Sequence, residues 1–375
     1  MVQLARGRYP LKGMALDRIS LSRFRNHEAT ALDGTRQFNL LVGENGAGKT
    51  NILEALSLLS PGRGLRSARL AEMAGNGGAG GFAIGASLIA GDAEDLIRIG
   101  TYTEPDRPNR RLVKVNGAST SAASLGEWLA IGWLTPAMER LFSDSAGTRR
   151  RFLDRMVLAL EPGHASVAAR YEHALRERNR LLAEEIPPEA EWLEALEAQM
   201  ARQGAALMQQ RASIISAVGA ELALLPDEPF ARPALAYDTQ VPFGEEALRI
   251  ALRAGRPRDR AAARSLTGPH RDDLLVTIAG RDVPAAMGST GEQKALLIAM
   301  SLAHAVLAAR GRPGLLLLDE VAAHLDPLRR RTLFDRLRTS GAQIWLTGTE
   351  IAPFEHIRAE AAIWRVEGGR VERIS

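Results

Sequence analysis

The sequence predicts an α/β protein built around a phosphate-binding loop, with a β-rich side layer and an inserted α-helical lobe. Residues 43–50 read GENGAGKT between an apolar run and a helical pattern. Residues 315–318 are four leucines followed by Asp319 and Glu320. Alternating strands and a long helical region lie between these two stretches, so the halves of one sheet are expected to be far apart in sequence.

Residues 43–50 have the pattern of a P-loop. The preceding run, Phe38–Val42, reads FNLLV, and apolar residues recur at helical spacing over residues 52–59. This order suits a polyphosphate, because glycines let backbone N–H groups turn inward and the helix N-terminus adds positive charge. The predicted nucleotide-binding residues are Gly43, Glu44, Asn45, Gly46, Ala47, Gly48, Lys49 and Thr50.

Two side chains of this loop have specific predicted roles. Lys49 is expected to reach the β- and γ-phosphates of ATP, and the Thr50 hydroxyl is expected to hold Mg²⁺. The alternative is a glycine turn before a helix with an incidental lysine. The complete motif and its flanking elements favour the P-loop.

The leucine run is typical of a strand that is buried on both faces. Ligands bind at the carboxyl ends of such strands in open α/β sheets. Asp319 is therefore predicted to hold Mg²⁺ through water, and Glu320 to orient and deprotonate an attacking water. An acidic helix cap is the alternative for both residues, and the presence of the P-loop makes it the weaker one.

Composition sets the broad class of protein. The chain has 375 residues, 46% hydrophobic and 25% charged, and no cysteine, which excludes disulfides and thiolate metal sites. No apolar run approaches the ~20 residues of a membrane span, and no hydrophobic signal region is visible, so a cytoplasmic location is expected. The net charge of +4 favours a polyanionic partner only mildly. The arginine excess is not evidence for DNA binding, because genome base composition can produce it.

The rest of the chain separates into a strand-rich and a helix-rich part. Strands are predicted over residues 82–88, 96–102 and 111–115, with a tight turn at Asn116-Gly117. From about residue 149, apolar residues at helical spacing predict two long amphipathic helices that form an antiparallel pair. Neither is long enough for an extended coiled coil. Residues 226–265 are expected to be irregular, with a short helix near residues 245–252.

Two motifs flank the acidic strand. Residues 289–294, STGEQK, have the spacing of a capping box, and a capped helix start also presents N–H groups to an anion. Their position resembles that of the Ser-Gly-Gly-Gln motif of ATP-binding-cassette (ABC) proteins, and residues 323–327, AHLDP, resemble the D-loop of those proteins. The resemblance implies an ATP-dependent, ATP-sandwiched homodimer in which Ser289, Gly291 and Asp326 act in trans on the partner's nucleotide.

Three further motifs narrow the resemblance: residues 19–26, ISLSRFRN; residues 149–154, RRRFLD; and residues 266–273, LTGPHRDD. Together with the 270 residues that separate Lys49 from Asp319, they make residues 14–375 closely similar to the RecF family of bacterial DNA replication and repair proteins. The resemblance implies a cytoplasmic protein that binds single-stranded or gapped DNA, works with RecO and RecR, and assists RecA loading and the SOS response.

The predicted fold class is thus α/β, a P-loop ABC-type ATPase head with a β-rich side layer and an inserted α-helical lobe. Residues 1–13 are expected to be a disordered extension or to precede a true start at Met14. Residues 14–135 are assigned to the N-terminal half of the ATPase lobe, residues 136–265 to the inserted lobe and residues 266–375 to the C-terminal half.

Departures from the ABC pattern predict slow hydrolysis that acts as a switch. Thr290 and Glu292 replace expected residues of the signature, residues 345–349 contain no switch histidine, and no obvious Q-loop glutamine follows Leu134.

A RecF-type repair ATPase is favoured over two alternatives. An SMC-like ATPase of another pathway should have a long coiled coil, and a transporter ATPase subunit should lack the insertion. For DNA contacts the candidates are Arg149, Arg150, Arg151, Arg329, Arg330 and Arg331, with a solvated helix face as the favoured alternative for each.

Overall fold

The computed structural model describes residues 15–75, 80–90, 95–186, 189–226, 229–322 and 325–375. The expectation for residues 1–13 lies outside this part of the chain. The described residues divide into two compact units. The first draws on the described residues within 15–139, 229–230 and 297–375, and the second on the described residues within 140–226 and 231–296.

An antiparallel sheet of six strands forms the β-rich layer of the first unit. The strands are β1 (Leu16–Phe24), β2 (His27–Asp33), β4 (Ala83–Ala90), β5 (Asp95–Glu104), β6 (Arg107–Val115) and β7 (Ala118–Thr120). They lie in the order β2-β1-β4-β5-β6-β7. The predicted turn joins β6 to β7, with positive φ at Asn116 and Gly117. Alternation along β1 buries Ile19 and Leu21 and exposes Ser20, as expected for a sheet with one covered face.

A second sheet of the first unit is mainly parallel. Its strands are β3 (Phe38–Val42), β8 (Ala130–Leu134), β12 (Gly314–Leu318), β13 (Gln343–Gly348), β14 (Ala361–Glu367) and β15 (Arg370–Arg373). They lie in the order β15-β14-β3-β13-β12-β8, and β15 alone runs antiparallel to its neighbour. Both β3 and β12 are buried along their whole length. The strand before the P-loop and the strand before the two acids are therefore separated only by β13.

The helices of the first unit include α1 (Lys49–Ser57), α2 (Leu70–Met73), α3 (Leu125–Trp128) and α9 (Pro327–Thr339). Helix α1 connects the two sheets, because its buried Leu53 and Leu56 share one core with Ile19 of β1 and Trp345 of β13. Burying a leucine or isoleucine side chain stabilises the fold by about 1.5–3 kcal/mol. The core thus fixes the helix that follows the P-loop from both sides.

The second unit is largely helical. Its elements are α4 (Ala146–Leu160), α5 (His164–Leu182), α6 (Ala190–Ala223), α7 (Glu245–Ala261), β9 (Pro233–Asp238), β10 (Asp273–Ile278) and β11 (Val283–Pro284). Helix α8 (Thr290–Ala308) begins in this unit. Gly204 allows α6 to approach α7 closely, since an added Cβ would lie 2.5 Å from Leu248 Cδ2. The predicted inserted lobe ends at residue 265, whereas this unit continues to residue 296.

The expectation for residues 226–265 is wrong in two respects. Residues 233–238 form strand β9, and α7 runs for 17 residues with Pro257 inside it. A buried ion network includes α7 beyond Pro257. The guanidinium of Arg178 is fully buried and pairs with Glu197 at 3.0 Å and with Asp259 of α7 at 2.6 Å. A buried charge must be paired, so this tertiary contact outweighs the local effect of Pro257.

The described ranges contain no helix that is long and apolar enough to cross a membrane.

Candidate nucleotide site

The P-loop forms the junction between β3 and α1. Gly46 has φ 82° and Gly48 has φ 115°, a left-handed region that strains residues with a side chain. Gly48 is also the N-cap of α1. The loop therefore ends in the free N–H groups and the partial positive charge of a helix start, which suit an anion.

Lys49 lies inside this loop and is 4% exposed. Its Nζ donates to the carbonyl oxygens of Gly43 at 2.6 Å and Glu44 at 2.8 Å. Burial lowers the pKa of the Lys49 ammonium, and the nearby carboxylates of Glu320 and Asp319 oppose that shift. The loop thus holds its cation within electrostatic reach of both acids.

Thr50 and Asp319 meet at the carboxyl end of the parallel sheet. The Thr50 hydroxyl lies 2.9 Å from Asp319 Oδ1 and 3.1 Å from Oδ2, although 269 residues separate the two in sequence. Hydroxyl and carboxylate oxygens suit Mg²⁺, which usually takes one or two carboxylates and completes its shell with phosphate and water. Within the described residues no cluster of three or more His, Cys, Asp or Glu could hold a metal ion. The pair therefore fits a nucleotide-associated Mg²⁺ site, and Mg²⁺ binding stays a prediction.

Thr347 is a site residue that the sequence reasoning missed. Its Oγ1 donates to Asp319 Oδ1 at 2.8 Å and accepts the backbone N–H of Glu320 at 2.9 Å. One hydroxyl can do both. The Thr347 hydroxyl thereby fixes the position of the Asp319 carboxylate and the direction of the backbone at Glu320. The signal in the sequence is a threonine near the end of an apolar strand, and β13 proves to be fully buried.

Glu320 has φ 54°, a left-handed conformation that costs a residue with a side chain about 1–3 kcal/mol. The bond from its N–H to Thr347 helps to hold this conformation. The side chains of consecutive residues in an extended strand point to opposite faces of the sheet. Because the backbone turns at Glu320, its side chain does not have to point away from the face that carries Asp319. Its role as a general base stays a prediction.

Ser289 and Glu292 form the capping box that their spacing predicts. The Ser289 N–H donates to Glu292 Oε2 at 2.8 Å, and Ser289 Oγ accepts the Glu292 N–H at 3.3 Å. Arg281 also pairs with Glu292 and, together with these bonds, lowers the pKa of that carboxyl to about 2. Gly291 lies in the first turn of α8. Helix capping therefore accounts for the three-residue spacing of Ser289 and Glu292. The role of Ser289 and Gly291 in trans stays a prediction.

Asp326 caps α9, because its Oδ1 accepts the N–H of Arg329 at 2.9 Å. Ala323 and His324, the first two residues of the predicted D-loop, lie outside the described residues. Arg330 donates to the carbonyl oxygens of Ala322 at 3.2 Å and Leu325 at 2.7 Å. The side chain of this DNA-contact candidate therefore braces the segment that carries Asp326.

The other arginine candidates also make contacts within their own units. Arg149 makes a bidentate pair with Asp273 at 2.9 and 2.6 Å, and Arg150 donates to the Asp272 carbonyl at 2.6 Å. Arg329 donates to the Pro229 carbonyl at 3.2 Å, and Arg151 donates to Thr148 at 2.9 Å. Arg331 is exposed. The side chains of Arg149 and Arg150 thus make hydrogen bonds within the protein, a role that is neither a DNA contact nor a solvated helix face.

Residues of segment 266–273 form hydrogen bonds with several elements of the second unit. Arg211 donates to the Pro269 carbonyl at 2.7 Å, and Tyr171 Oη lies 2.8 Å from His270 Nδ1. Burial lowers the pKa of His270 to about 4, so the imidazole is neutral at pH 7. The motif therefore ties α5 and α6 to the strand β10.

Comparison with known proteins identifies the family. The model for the RecF/RecN/SMC N terminal domain matches residues 15–370. The DNA replication and repair protein RecF of Mesorhizobium japonicum is 45% identical over 95% of this chain and 97% of its own length. The chain belongs to the RecF family. RecF of Brucella suis is likewise 44% identical over 96% of this chain and 97% of its own length.

Solved structures confirm the predicted fold class. The structure described as the recombination mediator protein RecF-ATPrS in the RecFOR pathway has a TM-score of 0.86 at 22% identity and covers 98% of this chain and 100% of that one. The Smc head domain of Pyrococcus furiosus has a TM-score of 0.54 at 17% identity and covers 96% of each chain. At these identities both comparisons bear on the fold, which is an ABC-type ATPase head of the RecF and SMC kind.

Proposed function

We propose that this RecF-family chain is an ATP-dependent DNA-binding protein of recombinational repair and replication. The contact between Thr50 and Asp319 carries the proposal, because it unites the P-loop and the acidic strand in one place. In this proposal residues 43–50 bind ATP, and Thr50 and Asp319 hold Mg²⁺. By family resemblance the protein acts in the cytoplasm with RecO and RecR, and it assists RecA loading and the SOS response.

The residues of the site divide the chemistry among them. Lys49 neutralises charge on the β- and γ-phosphates. Mg²⁺ held by Thr50 and Asp319 would supply further neutralisation of phosphate charge, and Thr347 keeps the Asp319 carboxylate in position. Glu320 orients a water and accepts its proton. Hydrolysis is slow and acts as a switch between a dimeric and a monomeric state.

The proposed dimer predicts a specific effect of Ser289→Arg. The variant should bind ATP normally, because residues 43–50 are unchanged, but should not form the ATP-dependent dimer, since the bulky cation blocks the face that meets the partner's nucleotide. Sedimentation velocity with and without ATP measures this.

Ser289→Ala is the matched control, as it removes the same helix cap, at a cost of about 1 kcal/mol, without adding bulk. Mixing Ser289→Arg with Lys49→Ala should restore partial association through one intact composite site. Normal ATP-dependent dimerisation of Ser289→Arg would reject the role in trans.

DNA binding should depend on both salt and ATP. If arginine side chains contact phosphates, affinity must fall steeply with salt because counterions are released, by about 10³–10⁵ between roughly 50 and 200 mM for 6–10 contacts. If dimerisation assembles the surface, ATP should tighten binding. Fluorescence anisotropy with a labelled gapped duplex measures both, and a blunt duplex of equal length is the control. An affinity for gapped DNA that is indifferent to salt and to ATP would contradict the proposal.

A further inference from the structure

The motif at residues 19–26 ends against the P-loop. Its last residue, Asn26, lies in the tight turn between β1 and β2, and His27 begins β2. The Asn26 Nδ2 donates to the carbonyl oxygen of Ala47 at 3.0 Å, and His27 Nε2 lies 3.1 Å from the carbonyl oxygen of Gly48. A Cβ added at Gly48 would lie 2.7 Å from Asn26 Nδ2 and 2.9 Å from His27 Nε2. Both side chains thus contact the backbone of the P-loop, at Ala47 and Gly48.

We propose that Asn26 and His27 are positioning residues that aim the N–H groups of the P-loop at the phosphates of the nucleotide. A trans peptide unit is planar, so the C=O of one residue and the N–H of the next point in opposite directions. Anchoring the carbonyls of Ala47 and Gly48 therefore fixes the N–H vectors of Gly48 and Lys49. This inference rests on the proposed binding of ATP at residues 43–50.

The Ala47 carbonyl is held from two sides. Besides Asn26, the N–H of Gly369 donates to it at 3.0 Å. The Asn26 amide is itself oriented, since Asn51 donates to its Oδ1 at 2.7 Å and Arg66 donates to Asn51 Oδ1 at 2.7 Å. With its oxygen engaged by a donor, the nitrogen of Asn26 is left to face the loop.

The orientation of His27 follows from hydrogen-bond chemistry. A carbonyl oxygen only accepts, so Nε2 carries the proton that is donated to Gly48. Nδ1 lies 3.0 Å from Thr30 Oγ1, and that hydroxyl lies at a longer 3.3 Å from the Gly369 carbonyl. Burial lowers the pKa of His27, which favours the neutral imidazole. In that state Nδ1 can only accept, so it faces the Thr30 hydroxyl, which also lies within hydrogen-bond distance of the Gly369 carbonyl, and Thr30 orients the ring.

The test compares phosphate binding with stability. Asn26→Ala and His27→Ala should each weaken binding of ATP and of ADP by about five- to tenfold in calorimetric titrations, as expected for the loss of one anchoring hydrogen bond. His27→Gln retains an N–H donor and should recover part of the loss. Asn109→Ala, which removes an exposed asparagine of β6, is the control and should bind like the wild type.

The outcomes separate the inference from the function on which it rests. Lowered thermal stability of Asn26→Ala and His27→Ala with unchanged ATP affinity would show a structural role only and would overturn the inference. Wild-type protein that binds no ATP, or Lys49→Ala that binds as well as the wild type, would reject the proposed function instead. If His27→Ala does not fold, Thr30→Val takes its place, because it leaves the imidazole intact and removes the hydroxyl that faces the ring and the Gly369 carbonyl. Unchanged ATP affinity of Thr30→Val would then count against His27.

Discussion

Replacing Lys49 by alanine is expected to weaken ATP binding by about 100-fold or more, equivalent to about 3 kcal/mol. Residues 43–50 contain no other basic side chain, so the variant loses the cation that would meet the β- and γ-phosphates. In the wild type Lys49 is 4% exposed, and two loop carbonyls hold its ammonium group. It is therefore positioned in advance, and little conformational freedom remains to be lost when a phosphate replaces those carbonyls.

The same variant should still fold. The carbonyls of Gly43 and Glu44 can bond to water in its place, and the core around Leu53 and Leu56 is untouched. Isothermal titration calorimetry with MgATP gives the affinity, and circular dichroism with a thermal scan checks the fold. Lys114→Ala is the matched control, because that ammonium lies over the ring of Tyr102, 5.4 Å from its centroid, on the strand-rich layer. Near-normal affinity of a folded Lys49→Ala protein would reject the P-loop assignment.

The central part of the site could be predicted because local patterns define it. An apolar run followed by GENGAGKT, and four leucines followed by two acids, each give a strand and its polar end without any long-range information. Thr347 differs, because its role depends on the order of strands. It meets Asp319 since β13 lies between β3 and β12, and nothing within residues 343–348 indicates those neighbours. The absence of a switch histidine could be read from the sequence, whereas the contacts of the Thr347 hydroxyl with the Asp319 carboxylate and the Glu320 backbone N–H could not.

The second unit was harder to predict for a related reason. Its buried and half-buried charges form pairs between residues that are distant in sequence, such as the buried Arg178 with Asp259 and the half-buried Arg149 with Asp273. Local patterns assign charged residues to solvent, and the proline and arginine content of residues 226–265 predicts irregular structure with only a short helix near residues 245–252. The pairing partners become visible only when α5, α6 and α7 are packed together and when α4 lies against β10. Arginine runs in this chain are therefore weak indicators of a DNA surface.

Replacing Glu320 by glutamine is expected to slow ATP hydrolysis by at least about 100-fold, the lower end of what a general base contributes. Glutamine has nearly the same shape and cannot accept the proton. The bond from the backbone N–H of residue 320 to Thr347 does not depend on the side chain, and the contact between Thr50 and Asp319 is unchanged. ATP should therefore still bind, and an ATP-bound dimer should accumulate. Because wild-type turnover is expected to be slow, phosphate release is best followed with protein in excess over ATP.

Two further variants separate proton transfer from metal binding and from a general effect of charge. Asp319→Asn weakens the Mg²⁺ ligand, so it should lower affinity for MgATP more than for ATP in EDTA, whereas Glu320→Gln should change neither. Glu372→Gln removes one negative charge from the exposed side of β15 and should hydrolyse ATP at the wild-type rate. Turnover of Glu320→Gln at the wild-type rate would place the base elsewhere. A loss of MgATP affinity equal to that of Asp319→Asn would instead make Glu320 part of the metal site, and the strained backbone at φ 54° would then serve to bring the second carboxylate to the ion.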